Sequence, residues 1–136
     1  MSQENVEIVR KVEDHFNATG EPPWELFATD VVLDLTHATR VPDHLPRYVG
    51  EEGWNEFWSI WIEQFENLSF ELLGLYDVGD DRVVLIHRQT AIAKASRVPV
   101  EQTNGFVYTL RDGLIIHVEL YNGAADEALK AVGLEE

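Results

Sequence analysis

The chain of 136 residues carries 10 basic and 25 acidic side chains, a formal charge of −15, and no cysteine. That length suits one domain, 1–136, around one core; the charge offers nothing to a phosphate backbone or an anionic membrane surface, and the lack of thiols removes disulfides, thiolate nucleophiles and cysteine metal sites. The polar start Met1-Ser2-Gln3-Glu4-Asn5 lacks the features of a secretion signal, and no apolar run reaches membrane-span length, so a cytoplasmic protein without membrane or nucleic-acid partners is expected.

Val6, Val9, Val12 and Phe16 recur at helical spacing between charges, with Ser2 as cap and Gly20 as stop. Pro22-Pro23 predicts the start of a second short helix that turns Trp24, Phe27 and Leu26 inward. Thr29-Asp30 breaks it, and Val31 to Thr36 is a β-rich run. The segment from His37 to Gly50, with Pro42 and Pro46, has the length at which loops serve as lids or binding segments. After Gly53, residues Trp54, Phe57, Trp58, Trp61 and Phe65 fall on one helical stripe, whose bulk builds either a packed core or an aromatic cavity wall.

Leu68, Phe70 and Leu72 alternate as a strand, and the phase switch to Leu73 and Leu75 at Gly74 predicts a bulge. Gly79-Asp80-Asp81 turns into a run from Arg82 to about Ala95, broken at Val98-Pro99. Val100 to Leu110, a tight turn at Arg111-Asp112-Gly113, and Leu114 to Tyr121 follow as a hairpin. Gly123 opens a last helix with Ala128, Leu129 and Val132, ended by Gly133. Helices first and meandering strands afterwards indicate an α+β fold with a mostly antiparallel sheet. In the 82–95 run Val84, Ile86, Arg88, Thr90 and Ile92 share one face, and Val83, Leu85, His87 and Gln89 the other. In the last strand Val118, Leu120 and Asn122 oppose His117, Glu119 and Tyr121. Periodicity leaves open which set meets the helices.

The amphipathic helix running into Pro22-Pro23-Trp24-Glu25-Leu26-Phe27-Ala28, the strand, the Trp54–Phe65 stripe, the four strand-like runs and the closing helix resemble, in that order, the SnoaL-like branch of the nuclear transport factor 2-like superfamily. The resemblance implies a cone: a curved, mostly antiparallel sheet packed on three N-terminal helices, with a short C-terminal helix and one apolar cavity. Matching Glu56-Phe57-Trp58 and Gly113-Leu114-Ile115-Ile116 to the family implies that Arg88, Thr90, Val118, Leu120 and Asn122 face inward. His87, Gln89, Phe106, Tyr108, His117, Glu119 and Tyr121 then form an outer, aromatic and amphipathic face suited to a homodimer.

Arg88 is the first candidate catalytic residue, because a buried guanidinium requires an anionic partner. That partner is either Asp34 or a loop carboxylate in a structural pair, or an anionic or carbonyl oxygen of a ligand. Asp34 and His37 end the first strand, near where related folds hold a catalytic base. Either Leu33, Leu35 and His37 point inward or Val32, Asp34 and Thr36 do; the resemblance favours the first set and makes His37, with an ordinary pKa of about 6.5, a candidate general base. Trp24, Phe27, Leu35, Trp54, Trp58, Thr90, Leu120 and Asn122 are the expected ligand-binding residues.

The superfamily's best-understood chemistries do not carry over. Ketosteroid isomerases use an aspartate base with tyrosine and protonated aspartic acid as oxyanion donors, and by resemblance those positions hold Leu35, Val12 and Asn104 or Gly105 here. The limonene epoxide hydrolase pattern finds Arg88, but Thr90 and Leu120 stand in place of its acids. His15, His37, His44, His87 and His117 are scattered, His117 and Glu119 read as a cross-strand interface pair rather than metal ligands, and no phosphate loop or nucleophile elbow is present. No metal or cofactor is expected. The sequence indicates a small-molecule pocket protein, a cofactor-independent enzyme of isomerase, cyclase or hydratase type acting by proton transfer on a small apolar oxygen-bearing substrate; the alternative is a non-catalytic ligand-binding or dimerisation module of the same fold.

Overall fold

The structure is a computed structural model describing residues 2–38 and 45–133. Helix α1 spans Ser2–Thr19 and ends where Gly20 takes a positive φ of 81° and returns its N–H to Phe16 O at 2.8 Å. Its inward stripe buries Val9 and Val12. The Ser2 side chain, expected as the cap, lies outside the described residues. The double proline yields a single 3-10 turn, Trp24–Leu26, instead of a regular helix. Phe27 is already extended and starts strand β1, Phe27–Asp34, because it pairs with Ile115 of the last strand.

The long segment expected as a loop contains strand β2, Arg47–Val49, antiparallel to β1 with Leu33 opposite Tyr48. Its residues 39–44, including His44, lie outside the described residues, and with them the middle of the expected lid. Helix α2, Gly50–Gln64, begins four residues before Trp54, where the aromatic stripe starts. Gly50 permits this: it has φ 70°, and a Cβ there would sit 2.9 Å from Thr29 O.

Strands β3 (Phe65–Gly79), β4 (Arg82–Ala93), β5 (Pro99–Arg111) and β6 (Leu114–Tyr121) form a continuous antiparallel meander. Its β3–β4 and β5–β6 turns place Asp80, Asp81 and Asp112, Gly113 at positive φ, which matches the twist of the flanking strands. The β3 register shifts between Leu72 and Gly74, where the phase switch places the bulge. The sheet order is β2-β1-β6-β5-β4-β3, with β1 and β6 parallel, so the sheet is mixed, curled and open.

Helices α1 and α2 cover one face, Phe57 and Trp61 of α2 sharing a core with Leu85, Tyr108 and Leu120 of the sheet. Helix α3, Ala125–Ala131, covers part of the other over Val84, Ile86, Val107 and Tyr121. Gly105 lets α3 approach, since a Cβ there would come within 2.6 Å of Ala128 Cβ. The first half of β4 is therefore buried on both faces, Val83 to Leu85 being fully covered.

Candidate functional site

Between α1, α2 and the helix-facing side of the sheet lies a cavity of about 110 Å³. Dry cavities of about 150 Å³ hold a benzene, so this one is somewhat smaller than the space a single ring takes. Its wall is aromatic. Trp54 and Trp58 stack with centroids 5.5 Å apart, and Phe16 meets them edge-on at 5.9 and 5.2 Å. The aromatic stripe thus serves both purposes read from it: Phe57 and Trp61 are buried in the core, and Trp54, Phe57, Trp58 and Trp61 all face the cavity.

One polar chain interrupts this wall. Glu13 on α1 and His87, Gln89 and Asn104 on β4 and β5 all line the cavity and are all at least nine-tenths buried. His87 Nδ1 lies 3.1 Å from Glu13 Oε2, and Asn104 Nδ2 lies 3.2 Å from both His87 Nε2 and Gln89 Oε1. The orientation of every member follows from one backbone group. Gly123 N–H donates to Asn104 Oδ1 at 2.8 Å, and a backbone N–H cannot exchange roles. Asn104 therefore presents its amide hydrogens to His87 Nε2, which accepts, so the imidazole proton sits on Nδ1 and is donated to Glu13. The ring itself is clamped between Phe70 (4.8 Å) and Phe106 (5.0 Å).

Glu13 is thus a carboxylate steadied on one oxygen in an apolar wall, a geometry able to accept a proton from a bound molecule. Tyr108 completes the wall as a phenol whose pKa is pushed far up by burial and then by the Glu13 charge, so it remains an O–H donor. Among the described residues no three His, Asp or Glu side chains group as metal ligands.

The inward and outward sets of β4 and β5 are exchanged relative to expectation. Arg88 faces outward, 39% exposed, and is paired with Glu71 at 2.7 Å and Glu101 at 3.0 Å, both on neighbouring strands. Flanking cross-strand carboxylates on a wet face satisfy a guanidinium at far lower desolvation cost than a cavity would. Thr90 is exposed on the same face. His87, Gln89, Phe106 and Tyr108, expected outside, line the cavity. Trp24, Phe27, Trp54, Trp58 and Leu120 also line it. Leu35 is buried in the core, and Asn122 is buried and accepts from Gln102 Nε2; neither borders the cavity.

His37 and Asp34 sit together on the outer face, away from the cavity. A turn after Asp34 breaks the alternation that was to bring His37 inward. His37 stacks on Tyr121 at 4.6 Å and lies 3.6 Å from Glu119, while Asp34 lies 3.5 Å from His117. Burial alone would raise the Asp34 pKa, but the Thr36 N–H (3.0 Å) and Oγ1–H (2.7 Å), then His117 and Arg47, outweigh it and hold the group below its ordinary 3.8. A depressed carboxylate adds stability above its unfolded pKa and loses it as pH falls through the folded one. Asp34→Asn is therefore expected to cost about 1 kcal/mol at pH 7 and to flatten the loss of stability below about pH 4. Urea titrations across that range check it, and an unchanged pH profile would remove Asp34 as an acid-sensitive contact. Tyr121, pushed up to about 12 by burial and then by Glu119, Asp34 and Glu127, stays protonated throughout.

Glu13 carried a sequence signal that charge concealed. Val9, Val12, Glu13 and Phe16 stand at i, i+3, i+4 and i+7, so the acid lies in the apolar stripe of α1.

Comparison with known proteins agrees with this architecture. A crystal structure of TerC co-crystallised with polyporic acid superposes with TM-score 0.71 at 16% identity, covering 86% of this chain and 89% of that one. An NTF2-like protein of unknown function from Burkholderia pseudomallei K96243 gives 0.72 at 13% identity, covering 96% and 98%. A protein with a ketosteroid isomerase-like fold from Catenulispora acidiphila DSM 44928, in complex with trimethylamine, gives 0.65 at 16% identity, covering 91% and 93%. No curated relative matches the sequence. The pattern of the SnoaL-like domain matches residues 11–118, and the chain belongs to that family.

Proposed function

We propose that this protein is a cofactor-independent enzyme that moves a proton on a small, largely apolar, oxygen-bearing molecule, with Glu13 as the base. The carrying observation is the Glu13 carboxylate, hydrogen-bonded to a neutral His87 at 3.1 Å in an otherwise aromatic cavity. His87 orients Glu13, and Tyr108 supplies an O–H donor beside it. Arg88, His37 and Asp34 have no part in this reading, since none of them borders the cavity. Structural likeness to TerC, crystallised with polyporic acid, supports a ring-bearing oxygenated ligand as the class to try.

The test is deuterium exchange of the benzylic protons of phenylacetone, a single-ring ketone, followed by proton NMR in D2O. In that step the C–H bond breaks, Glu13 takes the proton, and the electron pair moves onto the carbonyl oxygen as enolate; deuteron return completes the exchange. Exchange above the buffer rate, lost in Glu13→Gln, supports the reading. The rival reading, a passive binding module, draws on the fact that both His87 nitrogens are already engaged; binding without exchange would favour it.

A homodimer through the outer sheet face belongs to the same proposal, now built on His117, Glu119 and their neighbours rather than on His87, Gln89, Phe106 and Tyr108. Sedimentation at micromolar concentration is expected to give twice the chain mass, and a monomeric mass removes this part.

A further inference from the structure

The bond that orients the polar chain, Gly123 N–H to Asn104 Oδ1 at 2.8 Å, is held from the opposite side of the sheet. Its donor lies just before α3, which starts at Ala125, and its acceptor precedes Gly105, on which α3 rests. Gly123 takes a φ of 67°, the turn that carries the chain out of β6 and into α3. The direction of its N–H therefore depends on where α3 lies. Gln102 Nε2 also reaches Asn104 Oδ1, at 3.1 Å, but a side-chain amide can exchange its two ends and a backbone N–H cannot.

Helix α3 cannot stand alone. It is seven residues long with no side-chain cap at Ala124, and an isolated helix shorter than about 12–15 residues is marginal in water. Contact with the sheet is what holds it. Ala124 and Ala128 are buried, and Ala125, Leu129 and Val132 half-buried, with Val84, Ile86, Val107 and Tyr121. Three of those five are alanines, which bring little apolar area. Close approach depends on Gly105, where a Cβ would stand 2.6 Å from Ala128 Cβ and 3.2 Å from Ala125 Cα. An element of this kind has two states, docked and helical or lifted and unfolded, and it opens before the sheet does.

We propose that docking of α3 on Gly105 orients the His87–Glu13 pair on the other side of the sheet. With α3 docked, the Gly123 N–H fixes Asn104, and Asn104 fixes the imidazole. When α3 lifts, Asn104 is released, His87 loses its single tautomer and Glu13 loses its steady donor. Gly105 and Gly123 are positioning residues that act through Asn104. The structural part stands on the hydrogen bonds; its effect on turnover rests on reading Glu13 as the base.

Native-state hydrogen exchange of the unmodified protein is the first test. The Gly123 amide is expected to open with the α3 amides, with the same dependence on denaturant, and at least about tenfold more often than the amides of β6. Two variants then release α3 without altering a residue that lines the cavity. Gly105→Ala sets a Cβ against Ala128, and Lys130→Pro, at an exposed position, breaks the helix itself. In each, the α3 and Gly123 amides should lose protection together. The two ring 15N signals of His87, distinct in the wild type, should move towards a common averaged value. Deuterium exchange of phenylacetone should fall about tenfold or more in kcat with KM little changed, since a misplacement of about 1 Å can cost about 10²-fold.

A Gly123 amide that opens with β6 overturns the proposal. So do α3 amides that stay protected in both variants, or His87 signals that keep their wild-type separation once α3 is released. If Gly105→Ala does not fold, Lys130→Pro and the unmodified protein give the same readings. His87 signals that shift while deuterium exchange is absent or unaltered sustain this coupling and count against Glu13 as the base. Unmoved His87 signals in a protein that exchanges deuterium leave Glu13 in place and remove the role of α3.

Discussion

Glu13→Gln is expected to slow deuterium exchange of phenylacetone by about 10²- to 10⁴-fold, the usual contribution of a positioned general base, while the protein stays folded. The glutamine carbonyl still accepts from His87 Nδ1–H, so the hydrogen bond at 3.1 Å survives and only the basic group is lost. Glu13→Ala behaves differently. It leaves a buried imidazole N–H with no acceptor and opens space beside Phe16 and Tyr108, at a cost of about 2–4 kcal/mol. The two variants together separate chemistry from stability: glutamine removes the first and spares the second. Full exchange in Glu13→Gln would take Glu13 out of the mechanism, whatever the alanine variant does to the melting temperature.

Asn104 is the next largest lever. It is 2% exposed, and its amide joins Gly123 N–H and Gln102 on one side to His87 and Gln89 on the other. Asn104→Leu keeps the branched shape in a larger side chain but leaves the Gly123 N–H, His87 Nε2 and the Gln89 carbonyl without partners. About 3 kcal/mol of lost stability is expected, or roughly 10 °C in Tm for a domain of this size.

Asn104→Asp gives a sharper readout. A carboxylate keeps the acceptor for Gly123 but turns an acceptor towards His87 Nε2, which then needs its own proton. Ring 15N NMR is expected to show Nδ1–H with an unprotonated Nε2 in the wild type and a doubly protonated ring in this variant. An Nε2–H tautomer in the wild type would break the argument that runs from Gly123 to Glu13. Because Gly123 lies just before α3, and α3 rests on Gly105, the same network couples the outer layer of the sheet to the cavity.

Much of the fold was legible because its signals are local. The α1 stripe with its terminal Gly20, the aromatic stripe of α2, the turns at 80–81 and 112–113 and the bulge before Gly74 each follow from periodicity or from residues that tolerate positive φ. Strand β2 escaped notice because its three residues, Arg47–Val49, are too few to show a period, and they become a strand only by pairing with β1.

The candidate site depended on something no local signal carries. Along β4 the sets Val83, Leu85, His87, Gln89 and Val84, Ile86, Arg88, Thr90 both run from aliphatic to polar. Both begin aliphatic because α3 buries the outer face where α1 and α2 bury the inner one. Alternation therefore fixed that the two sets oppose each other but not which set meets the cavity. The choice was made across strands, by the flanking carboxylates Glu71 and Glu101 that keep Arg88 outside, and across layers, by Glu13 and Asn104 that receive His87 inside. The sequence by itself determined the elements, their order and the aromatic bulk of the pocket. Only the tertiary structure decided which polar groups share that pocket, because a strand's face is chosen by partners far away along the chain.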